Sequence, residues 1–464
     1  MKHILFYILI ILSILQIQVL TTGCANIVPP AGGARDSLAP QLIRSSPPNG
    51  TRNFSEKVIN LTFDEYVDLD NPSQNMVISP VPKIPITPTR KLNVVTLRIK
   101  DTLEDNTTYS FNFRSAIKDV NEGNVAKDFT YIFSTGAYID SMQIAGKVIL
   151  AESGGYDTTL TILLHRNDAD SALKKEKPRY ITKIDNKGHF VFKNLPANQT
   201  YHIYALEDNG SLLYLDSTKL FAFSDTTVTT GAQTDSVTLY AYANPKIEKA
   251  TNAAAANTKG EKRLRLQTSL KSSKQDLLET FSLQFGTPLK TFDSTKIHIS
   301  TDTLFTLLTN YSWQLDSTRK TATFFTNWKE NTLYNFILEK DFATDTLGQQ
   351  LLKADTLSFT TMRNDEYGKV VLRFRNLDLS KNPVIQFVQN DKVIASYPLT
   401  GEQFTRPLFL PGEYNLRLLY DDNKNGKWDP GKFYGEHKQP ELVKPIERKL
   451  NIRPNWSDEI EIPL

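Results

Sequence analysis

Apolar and polar residues alternate with a period of two along most of the chain, for example at Ile59, Leu61 and Phe63. That period is typical of β-strands that bury one face. Clusters of Asn, Asp, Gly and Pro separate the apolar runs, as at residues 47–50 and 185–188, and such clusters form turns. The pattern predicts an all-β chain built of tandem antiparallel β-sandwiches, and we expect no long amphipathic helix.

The chain also repeats itself. The segment Asn-Thr-Thr-Tyr at residues 106–109 recurs as Asn-Thr-Leu-Tyr at residues 331–334, and the pair Leu195-Pro196 recurs as Leu410-Pro411. The two kinds of match alternate, so the repeat predicts four sandwiches in the order A, B, A′, B′. We expect sandwich A at 37–137, sandwich B at 138–243, a linker at 244–262, sandwich A′ at 263–363 and sandwich B′ at 364–464.

The first 23 residues have the pattern of a cleaved secretory signal: a basic start at Lys2, then an apolar run from Ile4 to Leu20. Small residues follow, and Gly23 precedes Cys24, the only cysteine in the chain. This arrangement resembles bacterial lipoprotein signals, which implies cleavage before Cys24 and lipidation of its thiol, with palmitate among the acyl chains. The alternative is an ordinary secretory signal followed by a free thiol. Residues 24–36 have no periodicity and predict a flexible tether.

Two families of sandwich are indicated by local motifs. Sandwich A resembles bacterial Ig-like domains of the surface-layer type, through Ser46-Pro47-Pro48-Asn49-Gly50 and the closing Phe133-Ser134-Thr135-Gly136. Through Gly146-Lys147-Val148 and the run from Gly188 to Pro196 in sandwich B, sandwiches B and B′ resemble transthyretin-like or carboxypeptidase-regulatory sandwiches. The whole arrangement resembles a Bacteroidota-type family of exported lipoproteins, which implies an outer-membrane location, on either the periplasmic or the surface face, and no established chemistry.

Charge and motifs narrow the function. The chain has 54 Lys and Arg against 51 Asp and Glu, a balance that argues against nucleic acid as a partner. No nucleophile elbow, phosphate-binding loop or metalloprotease motif is present. We therefore expect a non-enzymatic scaffold that binds an envelope protein, such as an accessory subunit of outer-membrane protein assembly or export machinery. The alternative is a surface module that binds polysaccharide or acts as an adhesin, using Trp313, Trp328, Trp428 and Trp456.

One loop has the spacing of a calcium site. Asp421, Asn423, Asn425 and Asp429 stand at positions 1, 3, 5 and 9 of such a loop, and Gly426 stands at position 6. Position 12 is a lysine, so Glu436 is the candidate for the missing carboxylate. The alternative is an Asx-rich turn whose side chains cap their own backbone. Structural Ca²⁺ is the one cofactor that the sequence suggests.

The dipeptides Asp-Ser and Asp-Thr, followed by an apolar residue or Thr, recur through the exported part of the chain. They resemble an O-glycosylation signal of the same bacterial group. The alternative is that these residues end strands and form turns. The candidate acceptors are Ser37, Thr102, Ser141, Thr303 and Thr356.

Overall fold

The structure, a computed structural model, describes residues 35–208, 210–231, 236–246, 263–302, 304 and 306–464. The signal, Cys24, residues 247–262 of the linker and Thr303 lie outside the described residues. The chain forms two compact units, of which the first ends at Ile139 and the second comprises Asp140–Leu464 together with Ser79–Val81.

Sandwich A contains three sheets with the strand orders β1-β2-β6-β5, β3-β8 and β4-β7-β9. Its one short helix, α1, spans Pro72–Asn75. The strands are β1 Leu42–Ser46, β2 Val58–Phe63, β3 Val67–Leu69, β4 Val77–Ser79, β5 Thr89–Lys91, β6 Val94–Arg98, β7 Thr108–Asn112, β8 Ile117–Asp119 and β9 Thr130–Ser134.

Sandwich B has one sheet of order β13-β10-β17 and a second of order β12-β11-β14-β15, in which β16 also pairs with β14. Helix α2 spans Ala172–Lys175. The strands are β10 Met142–Leu150, β11 Leu160–His165, β12 Tyr180–Lys183, β13 His189–Leu195, β14 Thr200–Glu207, β15 Phe221–Phe223, β16 Val228–Thr229 and β17 Val237–Ala241.

Sandwich A′ contains sheets of order β18-β20-β24-β23, β19-β27-β25-β22 and β21-β26. One 3₁₀ turn, Ser294–Lys296, precedes β22. The strands are β18 Leu266–Thr268, β19 Lys274–Gln275, β20 Phe281–Phe285, β21 Leu289–Phe292, β22 Ile297–Ser300, β23 Ser312–Leu315, β24 Thr321–Phe325, β25 Leu333–Leu338, β26 Ala343–Asp345 and β27 Asp355–Thr361.

Sandwich B′ has one sheet of order β31-β28-β34 and a second of order β30-β29-β32-β33. Two 3₁₀ turns, Asn364–Glu366 and Leu379–Lys381, flank β28. The strands are β28 Gly368–Arg375, β29 Pro383–Gln389, β30 Lys392–Pro398, β31 Gln403–Phe409, β32 Gly412–Tyr420, β33 Leu442–Ile452 and β34 Ser457–Pro463.

Strand pairing repeats between the two halves. The order β1-β2-β6-β5 in sandwich A corresponds to β18-β20-β24-β23 in sandwich A′, and β3-β8 corresponds to β21-β26. In sandwiches B and B′ the first strand pairs in parallel with the last, β10 with β17 and β28 with β34. The fold is all-β, in tandem antiparallel sandwiches, as predicted, and each half is built on the same two topologies.

Four main clusters of buried apolar side chains form the cores, one inside each predicted sandwich range. Aromatic rings are prominent in two of them: Phe111 and Phe133 are fully buried in sandwich A, as are Phe281 and Phe336 in sandwich A′. The predicted alternation places these rings on the inward faces of their strands. No helix in the described part of the chain is long and apolar enough to cross a membrane.

The repeated Asn-Thr-x-Tyr segment has a structural cause. The hydroxyl of Tyr109 accepts a hydrogen bond from the Glu104 N–H, and the hydroxyl of Tyr334 accepts one from the Lys329 N–H. The hydroxyl of Thr135 donates to the Glu104 carbonyl, 2.7 Å away, and accepts from the Thr107 N–H. Thr361 makes the same pair of bonds in sandwich A′. The sequence repeat therefore marks the residues that hydrogen-bond the turn before β7 and β25, where backbone groups would otherwise lack partners.

Candidate functional site: the clasp between sandwiches B and B′

The loop at residues 421–441 joins β32 to β33 and extends from sandwich B′ onto sandwich B; we call it the clasp. Its first part is rich in Asp and Asn, and its second part carries the aromatic residues Trp428, Phe433 and Tyr434. The two parts do different work. The first closes on itself through polar contacts, and the second buries apolar surface against the other sandwich.

The polar part is organised around two buried carboxylates, Asp421 and Glu441. Asp421 accepts hydrogen bonds from the backbone N–H groups of Asn425 and Gly426, at 3.2 and 2.6 Å. Glu441 accepts from the N–H groups of Asp422 and Asp429, both at 3.0 Å. Burial raises the pKa of Glu441, and the neighbouring carboxylates of Asp421 and Asp429 raise it further.

A small hairpin forms the tip of the clasp. Lys432 and Lys438 exchange both backbone hydrogen bonds, each 2.8 Å long. Gly435 makes the turn with a φ of 84°, a conformation that glycine adopts without the steric cost of a Cβ. The Lys432 ammonium pairs with Glu436 across the hairpin. Phe433, on the hairpin, is 4% exposed.

Phe433 lies in an aromatic cluster supplied by sandwich B. Its ring centre is 5.1 Å from that of Phe223, 5.3 Å from that of Phe221 and 5.8 Å from that of Tyr204. The angle between the rings is steep in each pair, which is the edge-to-face geometry that aromatic pairs favour. These rings belong to β14 and β15, so the clasp covers the outer face of that sheet.

Polar contacts surround this aromatic centre. His437 Nε2 lies 2.8 Å from Asp170 Oδ1, and the Gln439 amide donates to the Phe223 carbonyl and to Asp225. The Lys174 ammonium stands 3.8 Å from the centre of the Tyr434 ring, within the range of a cation–π contact. Buried rings within a polar rim are the usual anatomy of a specific protein interface.

The backbone continues the attachment at the base of the clasp. The Val443 N–H donates to the Ala151 carbonyl at 2.9 Å, so the start of β33 bonds to the residue that follows β10. Gly431 passes over the Tyr242 ring, and a Cβ there would lie 2.7 Å from ring carbons. Glycine is therefore required at residue 431 for the close approach of the clasp to sandwich B.

The clasp explains why one sheet of sandwich B is buried on both faces. On β11, Ile162 and Leu164 point into the core of sandwich B, whereas Leu163 belongs to the cluster that contains Phe433. All six residues of β11 are buried. Burial lowers the pKa of His165, at the end of this strand, to about 4. A strand apolar on both faces needs a cover on each side. On the outer side, Leu173 and Tyr214 of sandwich B supply part of the cover, and Phe433 of the clasp completes it.

The four residues of the predicted calcium loop come together, but in a closed form. The side-chain amides of Asn423 and Asn425 both donate to Asp429 Oδ2. Among the described residues, no group of three or more His, Cys, Asp or Glu side chains is placed to hold a metal ion. The carboxylate at the base of the loop is Glu441, and Glu436, the expected candidate, pairs with Lys432 instead. Calcium binding stays a prediction.

Most of the tryptophans lie in apolar surroundings. Trp313 and Trp328 pack against the core of sandwich A′. Trp428 packs within the clasp, where its indole N–H donates to the Glu441 carbonyl at 2.8 Å. Trp456 is different, because it is 60% exposed.

The described candidate glycosylation residues, Ser37, Thr102, Ser141 and Thr356, are all exposed. Two of them follow an aspartate whose carboxylate accepts the residue's own N–H, Asp101 for Thr102 and Asp355 for Thr356. In this contact the aspartate satisfies a neighbouring backbone N–H, as the alternative interpretation expects of such residues. Glycosylation of these residues stays a prediction.

Replacing Phe433 with alanine tests the clasp. We expect Phe433→Ala to lower the free energy of unfolding by about 3–5 kcal/mol, as for other buried phenylalanines, and to accelerate tryptic cleavage at Lys432 and Lys438. Urea unfolding and timed digestion measure the two effects. Phe325→Ala is the control, since Phe325 is 40% exposed and its loss should cost about 1 kcal/mol or less. Equal effects of the two variants would contradict the assigned role of Phe433.

Thermal unfolding in CaCl₂ and in excess EGTA tests the calcium prediction. At roughly a hundred times its Kd, Ca²⁺ would stabilise the protein by about 2.7 kcal/mol, and the melting temperature would rise accordingly. Asp421→Asn should abolish the difference between the two buffers. Asp185→Asn, which alters an Asx turn in sandwich B, should preserve it. Identical melting of the wild type in both buffers would show that hydrogen bonds alone close the loop.

One region of the chain matches a known protein family. Residues 36–135 match the family model described as a bacterial Ig-like domain. No curated protein sequence matches the chain. This match agrees with the resemblance seen in the motifs of sandwich A.

Several solved structures resemble the chain weakly. The Bacillus anthracis TIE protein is 9% identical over 94% of this chain and 75% of its own, with a TM-score of 0.17. The N-terminal part of the bacterial S-layer protein SbsC is 16% identical over 44% of each chain, with a TM-score of 0.16. TM-scores this low support no inference about function. What the sequence match and the fold establish together is an all-β protein whose first sandwich is similar to bacterial Ig-like domains.

Proposed function

We propose that this protein is a non-enzymatic lipoprotein of the outer membrane that serves as a scaffold for an envelope protein. The observation that carries the proposal is the clasp, which joins sandwiches B and B′ through a buried aromatic cluster although sandwich A′ separates them in sequence. Because the clasp attaches one sandwich of the chain to another, it holds sandwiches B and B′ in a constant arrangement.

Rigidity is what a scaffold contributes to binding. A surface that is already ordered loses little conformational entropy when a partner binds, so more of the contact energy appears as affinity. The clasp fixes sandwich B against sandwich B′ by aromatic packing, by polar contacts and by the Val443 to Ala151 hydrogen bond. Sheet edges and loops of both sandwiches are then presented in a fixed relation.

Strand β30 is a candidate contact surface for such a partner. It lies at the end of its sheet and pairs there only with β29. Val393 and Ile394 on this strand are 43% and 52% exposed. An edge strand with exposed apolar residues can accept a strand from another protein. A subunit role in outer-membrane protein assembly or export would use a surface of this kind.

The membrane anchor in this proposal rests on the sequence. Several acyl chains on Cys24 would exceed the marginal membrane affinity of a single chain. Residues 25–36 would then connect the lipid to β1 of sandwich A. The second candidate function, carbohydrate binding, is supported by one observation, the exposure of Trp456.

Substitution of Cys24 tests the anchor. We expect Cys24→Ala to abolish metabolic labelling with palmitate and to move the protein from the outer-membrane fraction to the soluble periplasmic fraction. Gly32→Ala, in the tether, is the matched control and should leave both unchanged. Wild-type protein that carries no label and fractionates as soluble would overturn the proposed location.

Co-purification tests the scaffold role separately. When the wild type is extracted in detergent and purified through a C-terminal affinity tag, an integral outer-membrane protein should co-purify with it. The Phe433→Ala variant, expressed at the same level, should recover less of that protein. Recovery of the lipoprotein alone, before and after chemical crosslinking, would contradict the scaffold role.

A further inference from the structure

A groove of about 550 Å³ lies between sandwiches A′ and B′ and contains the exposed Trp456. Sandwich A′ and the connection to β28 contribute Glu330, Arg363 and Asp365, and sandwich B′ contributes Lys369 and the Pro407-Leu408 pair. Its volume is within the range of small-ligand sites, which occur preferentially at junctions between domains.

The indole of Trp456 is held on a fixed backbone. The Trp456 carbonyl accepts a hydrogen bond from the Lys369 N–H, and the preceding Asn455 donates its own N–H to the Tyr367 carbonyl, both at 2.8 Å. Asn455 has a φ of 54°, so a tight turn presents the next residue outward. Because the backbone of this turn is already fixed, little further conformational entropy is lost when a ligand stacks on the exposed ring.

The polar wall of the groove is also ordered. The Asn364 N–H donates to Glu330 Oε2, and the Arg363 N–H donates to Glu366 Oε2, each at 2.8 Å. The Arg363 guanidinium pairs with Asp365. These bonds connect the end of sandwich A′ to the start of sandwich B′ and fix the hydrogen-bonding groups relative to the indole.

The groove carries no net charge, because Arg363 and Lys369 balance Glu330 and Asp365. An anionic or cationic ligand would therefore find no complementary field. The groove does present both donors and acceptors close to one flat apolar ring. This combination fits a ligand that has hydroxyl groups, which donate and accept, together with a face of C–H groups that can lie on an indole.

We propose that this groove binds a neutral saccharide, with Trp456 as the stacking platform and the Arg363, Asp365 and Glu330 side chains as hydrogen-bonding groups. The inference deepens the second candidate function and does not depend on the scaffold role or on the lipid anchor. A protein partner would use a wider apolar patch than one indole beside Pro407 and Leu408.

Affinity electrophoresis of the folded protein tests the proposal. The native gels contain a neutral polysaccharide: dextran, laminarin or yeast mannan, with carboxymethyl-dextran as the charged counterpart. We expect at least one neutral polymer to retard the wild type, and carboxymethyl-dextran to retard it less than dextran does. Trp456→Ala should weaken binding about tenfold or more, equivalent to about 1.4 kcal/mol, and Trp456→Phe should retain part of it.

Tyr138→Ala is the matched control, because Tyr138 is an aromatic residue of similar exposure, 63%, outside the groove. It should migrate as the wild type does in every gel. Circular dichroism and melting temperature should be unchanged in all variants, since the replaced rings are largely exposed. Absence of retardation by all three neutral polymers would overturn the proposal, as would equal retardation of the wild type and Trp456→Ala. Loss of a co-purifying protein by Trp456→Ala, without any polysaccharide effect, would assign the ring to a protein interface instead.

Discussion

The second sheet of sandwich B must be covered on both faces, and much of the architecture after residue 140 depends on this constraint. Strand β11 is buried throughout, and β15 contributes Phe221 and Phe223 to the outer face. Leaving such a surface in water would be costly, at about 25 cal/mol for each Å² of apolar area. Leu173 and Tyr214 of sandwich B itself supply part of the cover, and a loop more than 200 residues away in sequence supplies the rest. The two attached sandwiches stand on either side of sandwich A′ in the sequence.

The two parts of the clasp have different structural roles. Asp421 and Glu441 bind backbone N–H groups and determine where the loop leaves and re-enters the sheet of sandwich B′. With the loop closed in this way, the hairpin from Lys432 to Lys438 lies against sandwich B, where Phe433 packs in the aromatic cluster. Asp421 is also the first residue of the calcium loop that the sequence suggested. In the structure, the carboxylate oxygens of Asp421 and Glu441 accept hydrogen bonds from backbone N–H groups of the loop, which no neighbouring strand pairs with.

The sequence predicted the fold class because it depends on local patterns, the period of two and the turn residues. The Asn-Thr-x-Tyr repeat corresponds to a shared turn that Thr135 and Thr361 hydrogen-bond. The sequence did not predict the clasp, since no local pattern records a contact between Phe433 and Phe223. Two signals pointed to it. Ile162, Leu163 and Leu164 are consecutive apolar residues, which a strand with one solvent-exposed face does not need. Trp428, Phe433 and Tyr434 are aromatic residues in a loop that is mostly polar. The position of Glu441 at the base of the loop could not be read from the spacing, and Glu436 pairs with Lys432 in the hairpin.

Hydrogen exchange tests the central claim, that sandwich B supports the clasp of sandwich B′, most directly. Phe223→Leu keeps an apolar side chain in sandwich B but removes the ring contact with Phe433. In this variant we expect the amides of Lys432 and Lys438, which are far from residue 223 in sequence, to exchange faster. Exchange in β25 of sandwich A′ should be unchanged. Unchanged exchange at Lys432 and Lys438 would contradict the central claim, because the clasp would then be stable without the face it covers.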